Sequence, residues 1–344
     1  MKKTIFIGPA GRSGVPKDGA AVKNYYITKF LSKRQGKLIV CDTEGWKKNP
    51  VILLKIVFVL LFNPNAFYIV SANNTSSYWL IKIMSFFRIK DLVYWVIGGS
   101  IADWIESGKV KKESYRSVRL FIVEGERMRN TLERCGFSNA IVVPNFKVID
   151  KLPKLDRHDD SRIIKFVFLS RILPDKGCDL IFEACSYLNN KGYENVYKVD
   201  FYGPIADEYK DVFFEKVNIH NNVNYCGFID LRDTSNYGQL ADYDVMLFPT
   251  FWHGEGFPGI FIDAFISGLP VLATDWSMNG EVIKNEKNGW LIESKNSEAL
   301  TDKMEMIING KYDLNVMREE CQGESAKYNM ETVLSQRLLD YLYI

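Results

Sequence analysis

Short apolar runs alternate along the chain with longer segments of helical length. The runs in the first half are TIFIG, KLIVC, AFYIVS, LVYWVI, RLFIVE and AIVVP. Those in the second half are IIKFVFLS, KVDFYG, VNYCG, DVMLFP, PVLAT and GWLI. Apolar runs of this kind, separated by helical segments, are typical of buried parallel strands joined by crossover helices. The pattern therefore predicts an α/β protein built on parallel sheets that are covered by helices.

This alternation is interrupted once, near the middle of the chain, at VVPNFKVIDKLPKLDRHDDSR (142–162). Prolines and dense charge without periodicity indicate a linker, and 344 residues exceed one ordinary core. We therefore predict a Rossmann-like domain over 1–150 and a second over 151–325. A helical segment over 326–344 would cap the second domain or cross back to the first. Open α/β sheets bind ligands beyond the carboxyl ends of their strands, so the two domains would face each other across a cleft.

Charge is distributed unevenly between the two halves. Residues 1–150 hold 24 Lys and Arg against 11 Asp and Glu, which is 24 − 11 = +13, whereas the whole chain carries +2. A solvated basic surface without a partner is one interpretation. The other is contact with an anionic membrane surface, because clustered basic residues are attracted to anionic lipid. Nucleic acid is not expected, since no signature of nucleic-acid binding occurs.

The longest apolar run, VILLKIVFVLLF (51–62), is too short to span a bilayer and contains Lys55. It predicts a buried or interfacial helix. We expect a cytoplasmic protein that is peripheral at the inner face of the cytoplasmic membrane. The six cysteines are widely spaced without a C-x-x-C pair, which indicates free thiols. Three of them, Cys41, Cys135 and Cys226, end apolar runs or turns and are expected to be buried.

A glycine-rich loop, IGPAGRSGVPKDGAA (7–21), follows the first predicted strand. Gly11 and Gly14 would let backbone N–H groups approach a ligand closely. The spacing does not form a regular G-x-G-x-x-G, and Asp42 is the acid that ends the second strand. A dinucleotide site and a flexible surface loop therefore both remain open here.

Two loops of the second half carry charged residues where strands are predicted to end. In FLSRILPDKG (168–177), Arg171 offers a planar fork and Lys176 a point charge, a combination that can hold a diphosphate. Solvated surface charge is the alternative. In WHGEGFPGIFIDAF (252–265), Glu255 comes just before a predicted helix.

Two glycines follow Glu255, namely Gly256 and Gly259, and they leave backbone N–H groups bare at a helix N-terminus. Such a terminus favours an anion such as a phosphate. Glu255 itself can accept hydrogen bonds from sugar hydroxyls, and Asp263 can reach other hydroxyls. The alternative is that Glu255 interacts with the helix dipole and that Asp263 is a surface charge.

Taken together, these loops resemble those of glycosyltransferase family 4, which comprises retaining enzymes with the two-domain GT-B fold. SRILPDKG is similar to the family's G/S-R-x-x-x-x-K-G loop, and EGFPGIFIDA is similar to its E-x7-E motif. VVPNF resembles the strand that leads into the family's linker. The resemblance implies that Arg171 and Lys176 hold the donor diphosphate. It also implies that Glu255 contacts the donor sugar and that Asp263, where the family has a longer acid, contacts the ribose.

The same resemblance extends to further substrate contacts. VNYCGFI is similar to the segment whose backbone meets the nucleobase, and NGEVI matches a later acid. The family's histidine in the first domain is absent, because no histidine precedes His158. The matching region is YWVIGGSIADW, where a backbone or serine contact is expected instead. The substrate-binding residues predicted in addition to Asp263 are Gly256, Phe257, Gly259, Gly227, Phe228, Ile229, Glu281, Gly11, Gly14, Gly98 and Ser100.

The function implied is a retaining glycosyltransferase, specifically a hexosyltransferase. It would move a sugar from a nucleoside-diphosphate sugar, with UDP favoured, to a hydroxyl of a lipid-linked glycan in capsule, O-antigen or exopolysaccharide assembly. No cofactor or metal is expected, because Arg171 and Lys176 would supply the positive charge. The alternatives are a nicotinamide-dependent oxidoreductase and a non-catalytic nucleotide-sugar-binding protein of the same fold.

Overall fold

The computed structural model describes residues 3–11, 19–34, 38–46, 48–156 and 163–342. The chain divides into two compact units. The first comprises Met1–Phe146 together with Glu331–Ile344, and the second comprises Lys147–Met330. The chain therefore passes between the units twice, once after Phe146 and once after Met330.

The first unit is built on a six-stranded sheet with the order β2-β1-β3-β4-β5-β6, in which all neighbours are parallel. The strands are β1 (Thr4–Gly8), β2 (Leu38–Asp42), β3 (Phe67–Val70), β4 (Leu92–Trp95), β5 (Val118–Val123) and β6 (Ala140–Val142). Its helices are α1 (Gly19–Arg34), α2 (Val51–Phe62), α3 (Asn74–Phe86), α4 (Ile101–Glu106) and α5 (Glu126–Arg134). Central strands such as β3 are buried along their whole length, as expected for a sheet covered on both faces.

The second unit contains another six-stranded parallel sheet, with the order β12-β11-β10-β7-β8-β9. The strands are β7 (Ile164–Leu169), β8 (Tyr197–Tyr202), β9 (Val223–Tyr225), β10 (Val245–Phe248), β11 (Val271–Thr274) and β12 (Gly289–Ile292). Its helices are α6 (Cys178–Asn190), α7 (Lys210–Ile219), α8 (Tyr237–Ala241), α9 (Gly259–Ile266), α10 (Asn279–Val282), α11 (Ser297–Ile308) and α12 (Leu314–Ser325). Two short helices, α13 (Met330–Val333) and α14 (Gln336–Leu342), follow where the chain returns to the first unit. The prediction of two parallel sheets in an α/β fold is confirmed.

The strand order of the second sheet determines where a ligand can bind. From β7 the chain adds β8 and β9 on one side, then returns and adds β10, β11 and β12 on the other. The connection from β7 to β8 and the connection from β10 to β11 therefore run in opposite directions along the sheet, although β7 and β10 are neighbours. Such a reversal opens a crevice at the carboxyl ends of the strands, which is where open α/β sheets bind ligands.

Helix α2 is not a buried helix, although its sequence is almost entirely apolar. Only Ile56 and Leu60 are buried, whereas Leu54, Phe58 and Phe62 are 70%, 62% and 66% exposed. The buried alternative predicted for this run is therefore wrong, because the sheet covers one narrow side of the helix. Among the described residues, no helix combines the length and the apolar character needed to cross a membrane.

All six cysteines are free thiols, but they differ in burial. Cys178, Cys185 and Cys321 are buried, and burial raises the pKa of the Cys178 and Cys185 thiols to about 12. The expectation of burial is wrong for Cys226, which is exposed at the end of the edge strand β9, and Cys41 and Cys135 are only partly buried.

Candidate functional site

The loops that leave β7 and β10 are packed against each other at the reversal point of the second sheet. After β7 the chain forms a short 3₁₀ turn, Pro174–Lys176, and then Gly177 adopts a left-handed φ of 80° before α6 begins. A Cβ atom on Gly177 would lie 2.1 Å from the carbonyl oxygen of Pro249. The amide of Phe251 donates to the carbonyl of Asp175 at 2.9 Å. Only glycine allows this approach, which brings the two sequence motifs together.

Lys176 and Glu255 form an ion pair at the centre of this contact. The Lys176 ammonium donates to Glu255 Oε2, and the Thr250 hydroxyl donates to the same oxygen at 3.1 Å. The two charged side chains are only 9% and 12% exposed. Within the described part of the chain, the second oxygen, Oε1, accepts no hydrogen bond. The carboxylate is therefore held through one oxygen, and the other is able to accept a hydrogen bond.

The backbone on both sides of Glu255 is fixed by the loop that follows β11. The Ser277 hydroxyl donates to the carbonyl of Glu255 at 2.7 Å, and the Trp276 indole donates to the carbonyl of Trp252 at 2.8 Å. The amide of Glu255 donates back to Trp252 at 3.1 Å. Three consecutive strand ends, those of β7, β10 and β11, thus support this carboxylate. Such support is what keeps a functional side chain in one geometry.

Arg171 provides a second cation at the end of β7. Its side chain is exposed, and its guanidinium carbon lies 5.4 Å from the centre of the Trp252 ring. No ion pair to Arg171 is formed by the residues that the structure describes. The charge of this guanidinium is therefore available to an anion, and Lys176 differs in that it already has one carboxylate partner, Glu255.

Helix α9 begins at Gly259, directly after the Glu255 loop, and has no acidic residue in its first turn. Gly256 and Gly259 are partly buried, whereas Phe257 is buried with its ring 5.5 Å from that of Tyr328. An unopposed helix N-terminus with bare N–H groups attracts anions. Pro258 precedes the helix rather than forming part of its first turn.

Asp263 differs from the sequence expectation. Its side chain is buried within α9, where Tyr237 donates to Oδ1 at 2.7 Å and Lys147 pairs with Oδ2 at 2.9 Å. The surface-charge interpretation is wrong, because the side chain is only 4% exposed and each of its oxygens already has a bonded partner. Sequence reasoning missed both partners, because Lys147 lies in the predicted linker and Tyr237 follows a polar loop.

The predicted nucleobase segment lies at the ends of β8 and β9. The carbonyl of Gly227 accepts the amide of Gly203 at 2.8 Å, while Phe228 is largely exposed and Ile229 is buried. A Cβ atom on Gly203 would lie 1.8 Å from the carbonyl oxygen of Ser170. The loops after β7, β8 and β9 are therefore in close contact, and the sequence signal for this, YGP after β8, was not recognised.

The remaining predicted residues belong to other elements of the fold. Glu281 is an exposed residue of α10. Gly98 and Ser100 follow β4 in the first unit, and Gly11 follows β1. Gly14 lies outside the described residues. The described residues contain no group of three or more acidic, cysteine or histidine side chains that could hold a metal ion.

A second buried ion pair lies in the first unit and was not predicted. Lys23 of α1 pairs with Glu124, which follows β5, at 2.6 Å, and both side chains are 5% exposed. The run RLFIVE ends on this acid, which was the available signal. Beside the pair, the side-chain amide of Asn24 donates to the carbonyl of Ser71 at 2.9 Å.

The chain is similar in sequence to known bacterial sugar-transferring enzymes. Over 331 residues the chain is 24% identical to poly(ribitol-phosphate) alpha-N-acetylglucosaminyltransferase of Staphylococcus aureus (strain COL), covering 94% of this chain and 58% of the relative. It is 26% identical over 194 residues to UDP-Gal:alpha-D-GlcNAc-diphosphoundecaprenol alpha-1,3-galactosyltransferase of Escherichia coli, covering 53% of this chain and 48% of the relative. The chain thus spans about half the length of these curated relatives.

The structure is similar to that of the lipopolysaccharide outer core galactosyltransferase WaaB in its apo form. The TM-score is 0.74 at 13% sequence identity, and 99% of each chain is covered. At this identity the likeness establishes the fold alone, and the predicted GT-B fold is confirmed. The family described as Glycosyl transferases group 1 matches residues 151–324, which is half of the chain. This chain therefore belongs to the Glycosyl transferases group 1 family.

Proposed function

We propose that this protein is a retaining glycosyltransferase that moves a sugar from a UDP-sugar to a hydroxyl of a lipid-linked glycan during bacterial polysaccharide assembly. The observation that carries the proposal is the Lys176–Glu255 ion pair at the reversal point of the second sheet. It combines a cation for a phosphate with a carboxylate for a sugar hydroxyl. Membership of the family supports the transfer chemistry.

The positive groups around this pair suit a leaving nucleoside diphosphate. Breaking the bond between the sugar and the diphosphate leaves negative charge on the phosphate oxygens. Arg171, Lys176 and the N–H groups at the start of α9 would stabilise that charge, which is the type of electrostatic assistance that usually contributes most to catalysis. An ammonium has three donors, so Lys176 can bond to a phosphate while it keeps Glu255. With these cations present we propose that no metal takes part.

Glu255 would orient the donor sugar. Thr250 and Lys176 both bond to Oε2, which leaves Oε1 to accept a hydrogen bond from a sugar hydroxyl. A carboxylate fixed in this way binds without reorganising when the sugar arrives. Retention of anomeric configuration is implied by the resemblance to family 4, and the product's configuration can be read by NMR.

The nucleotide and the acceptor are proposed from the relatives. The E. coli relative is named for UDP-Gal and a diphosphoundecaprenol-linked sugar, and the S. aureus relative is named for poly(ribitol-phosphate). Both acceptors carry phosphate. A net charge of +13 over residues 1–150 favours an acceptor of that kind.

We further propose that the first unit binds an anionic membrane through α2. This helix exposes a broad apolar face that includes Leu54 and Phe58, and Lys55 lies between them. An apolar helix face beside basic residues is the combination that binds reversibly to an anionic bilayer surface. The site of action would be the inner face of the cytoplasmic membrane.

Calorimetric titration with UDP, GDP, ADP and NAD tests the donor site. We expect tight binding of UDP to the wild type and loss of binding in Arg171→Ala/Lys176→Ala, whereas Lys191→Ala, at an exposed ion pair, should bind normally. Binding of NAD in place of UDP would indicate the oxidoreductase instead. Circular dichroism must show that the double variant is folded.

Turnover separates catalysis from binding. Release of UDP from a UDP-sugar in the presence of membrane lipid extract should occur with the wild type and fall in Glu255→Gln by about 100-fold or more, a typical loss for one transition-state contact. Binding of UDP without any turnover by the wild type would support the non-catalytic alternative.

Vesicle co-sedimentation tests the membrane proposal. The wild type should sediment with vesicles that contain anionic phospholipid, and Leu54→Asp/Phe58→Asp should not. Ile219→Asp, at an exposed apolar residue of α7 in the second unit, is the matched control and should behave as the wild type. Sedimentation that is independent of anionic lipid content would refute the proposal.

A further inference from the structure

Lys147 lies where the chain enters the second unit, and its backbone is held against the segment where the chain leaves it. The amide of Lys147 donates to the carbonyl of Tyr328 at 3.0 Å, and its carbonyl accepts the amide of Met330 at 2.8 Å. The Asn329 side chain donates to the carbonyl of Ile149 at 3.1 Å. The two connections between the units are therefore hydrogen-bonded side by side at this point.

The side chain of Lys147 connects this crossing point to α9. Its ammonium lies 2.9 Å from Asp263 Oδ2, and Tyr237 donates to the other oxygen at 2.7 Å. Asp263 is buried, so its charge depends on these two partners. Helix α9 begins four residues after Glu255. The Lys147–Asp263 ion pair therefore joins the two connections between the units to the helix that directly follows the candidate donor loop.

Other contacts attach the same connections to α9. The Gln322 side chain donates to the carbonyls of Pro153, in the first connection, and Ile266, at the end of α9, at 2.7 and 3.3 Å. Leu155 packs against Gly268 so closely that a Cβ atom there would lie 2.7 Å from it. The second half of α9 and the turn that follows it thus contact the connecting segments.

From these contacts we infer that Lys147 is a positioning residue for the donor site and that Asp263 acts through Lys147 rather than as a ribose ligand. The inference rests on the proposed function. The ion pair fixes α9, and with it Glu255 and the N–H groups of its first turn, against the crossing point. Asp263 suits this role because both of its oxygens are bonded and its side chain is one methylene shorter than that of the glutamate in the family motif.

Ribose discrimination distinguishes the two roles of Asp263. Dissociation constants are measured by calorimetry for UDP and for 2′,3′-dideoxy-UDP, which lacks the ribose hydroxyls. We expect Lys147→Met and Asp263→Asn each to weaken UDP binding about tenfold, within the usual range for coupling through a packed element. The ratio of the two dissociation constants should stay at its wild-type value in both variants. The double variant should be no weaker than Asp263→Asn alone.

Hydrogen exchange provides a measurement that needs no ligand. The amide of Met330 bonds to the carbonyl of Lys147, so its exchange should be faster in Lys147→Met and Asp263→Asn than in the wild type. Lys147→Arg keeps the charge and should restore both UDP affinity and slow exchange. Lys154→Met, in the same connection but at an exposed pair with Asp156, is the matched control and should have no effect.

Two results would overturn the inference. The first is a ratio of the dissociation constants for 2′,3′-dideoxy-UDP and UDP that falls to about one in Asp263→Asn but not in Lys147→Met. Asp263 would then bind the ribose directly. The second is wild-type affinity and wild-type exchange in Lys147→Met. If Lys147→Met does not fold, Tyr237→Phe removes one bond to Asp263 and must still accelerate exchange at Met330. A wild type that binds no UDP refutes the proposed function, while the exchange data still test the connection.

Discussion

Replacing Lys176 with methionine tests the centre of the candidate site without any substrate. Methionine keeps much of the apolar stem, so the change mainly removes the charge. Glu255, whose side chain is 12% exposed, would lose the cation it pairs with in the described structure, although the Thr250 hydroxyl bond remains. Removing one member of a buried ion pair costs about 3–5 kcal/mol. The remaining hydrogen bond and the partial exposure put the expected cost at about 3 kcal/mol.

Thermal unfolding measures this cost. For a domain of this size each 1 kcal/mol shifts Tm by about 2–4 °C, so Lys176→Met should lower the Tm of the second unit by about 6–12 °C. Because the two units need not unfold together, hydrogen exchange identifies the transition that belongs to the second unit. Lys176→Met/Glu255→Gln should recover more than half of the loss, since no unpaired buried charge is left.

The matched control is Lys191→Met, which breaks an ion pair to Glu305 whose members are 43% and 21% exposed. Water screens such an exposed pair, so it contributes little to stability, and the Tm should fall far less than in Lys176→Met. A Lys176→Met variant that is as stable as Lys191→Met would refute the reasoning. A double variant that is less stable than both single variants would refute it as well.

Two further predictions concern loops of the second unit. Gly177→Ala should abolish UDP binding and destabilise the unit more than Gly192→Ala does. Both glycines have positive φ, but only at Gly177 would a Cβ meet a neighbour, the carbonyl of Pro249, so equal Tm values for the two variants would contradict the prediction. Iodoacetamide should modify the exposed Cys226 before the buried Cys178. Its rate should rise with pH beyond the usual thiol range, because desolvation by neighbouring residues and the Asp200 carboxylate raise the Cys226 pKa. If the neighbouring loop contacts the nucleobase, UDP should slow this modification, which mass spectrometry follows. A modification rate that UDP does not change would show that the loop is not part of the site.

The positions of the twelve strands that the described residues form followed from the hydrophobic pattern. Strands of a covered parallel sheet are buried on both faces, so a run such as VMLF in β10 is continuously apolar and visible in the sequence. The pattern was less informative for α2, where an equally apolar run turned out to expose most of its surface. An apolar sequence indicates that burial of these side chains is favourable, but it does not identify the surface that packs against them.

The sequence by itself determined the loops in which chemistry was expected, because glycine, proline and charge after an apolar run are local signals. Arg171, Lys176 and Glu255 were all found in this way. Only the tertiary structure decided their partners. Lys176 and Glu255 are 79 positions apart, and they meet because the strand order reverses between β7 and β10. The pairing of Asp263 with Lys147 likewise depends on the chain returning to the point where it entered the second unit, a long-range packing that no local spacing encodes.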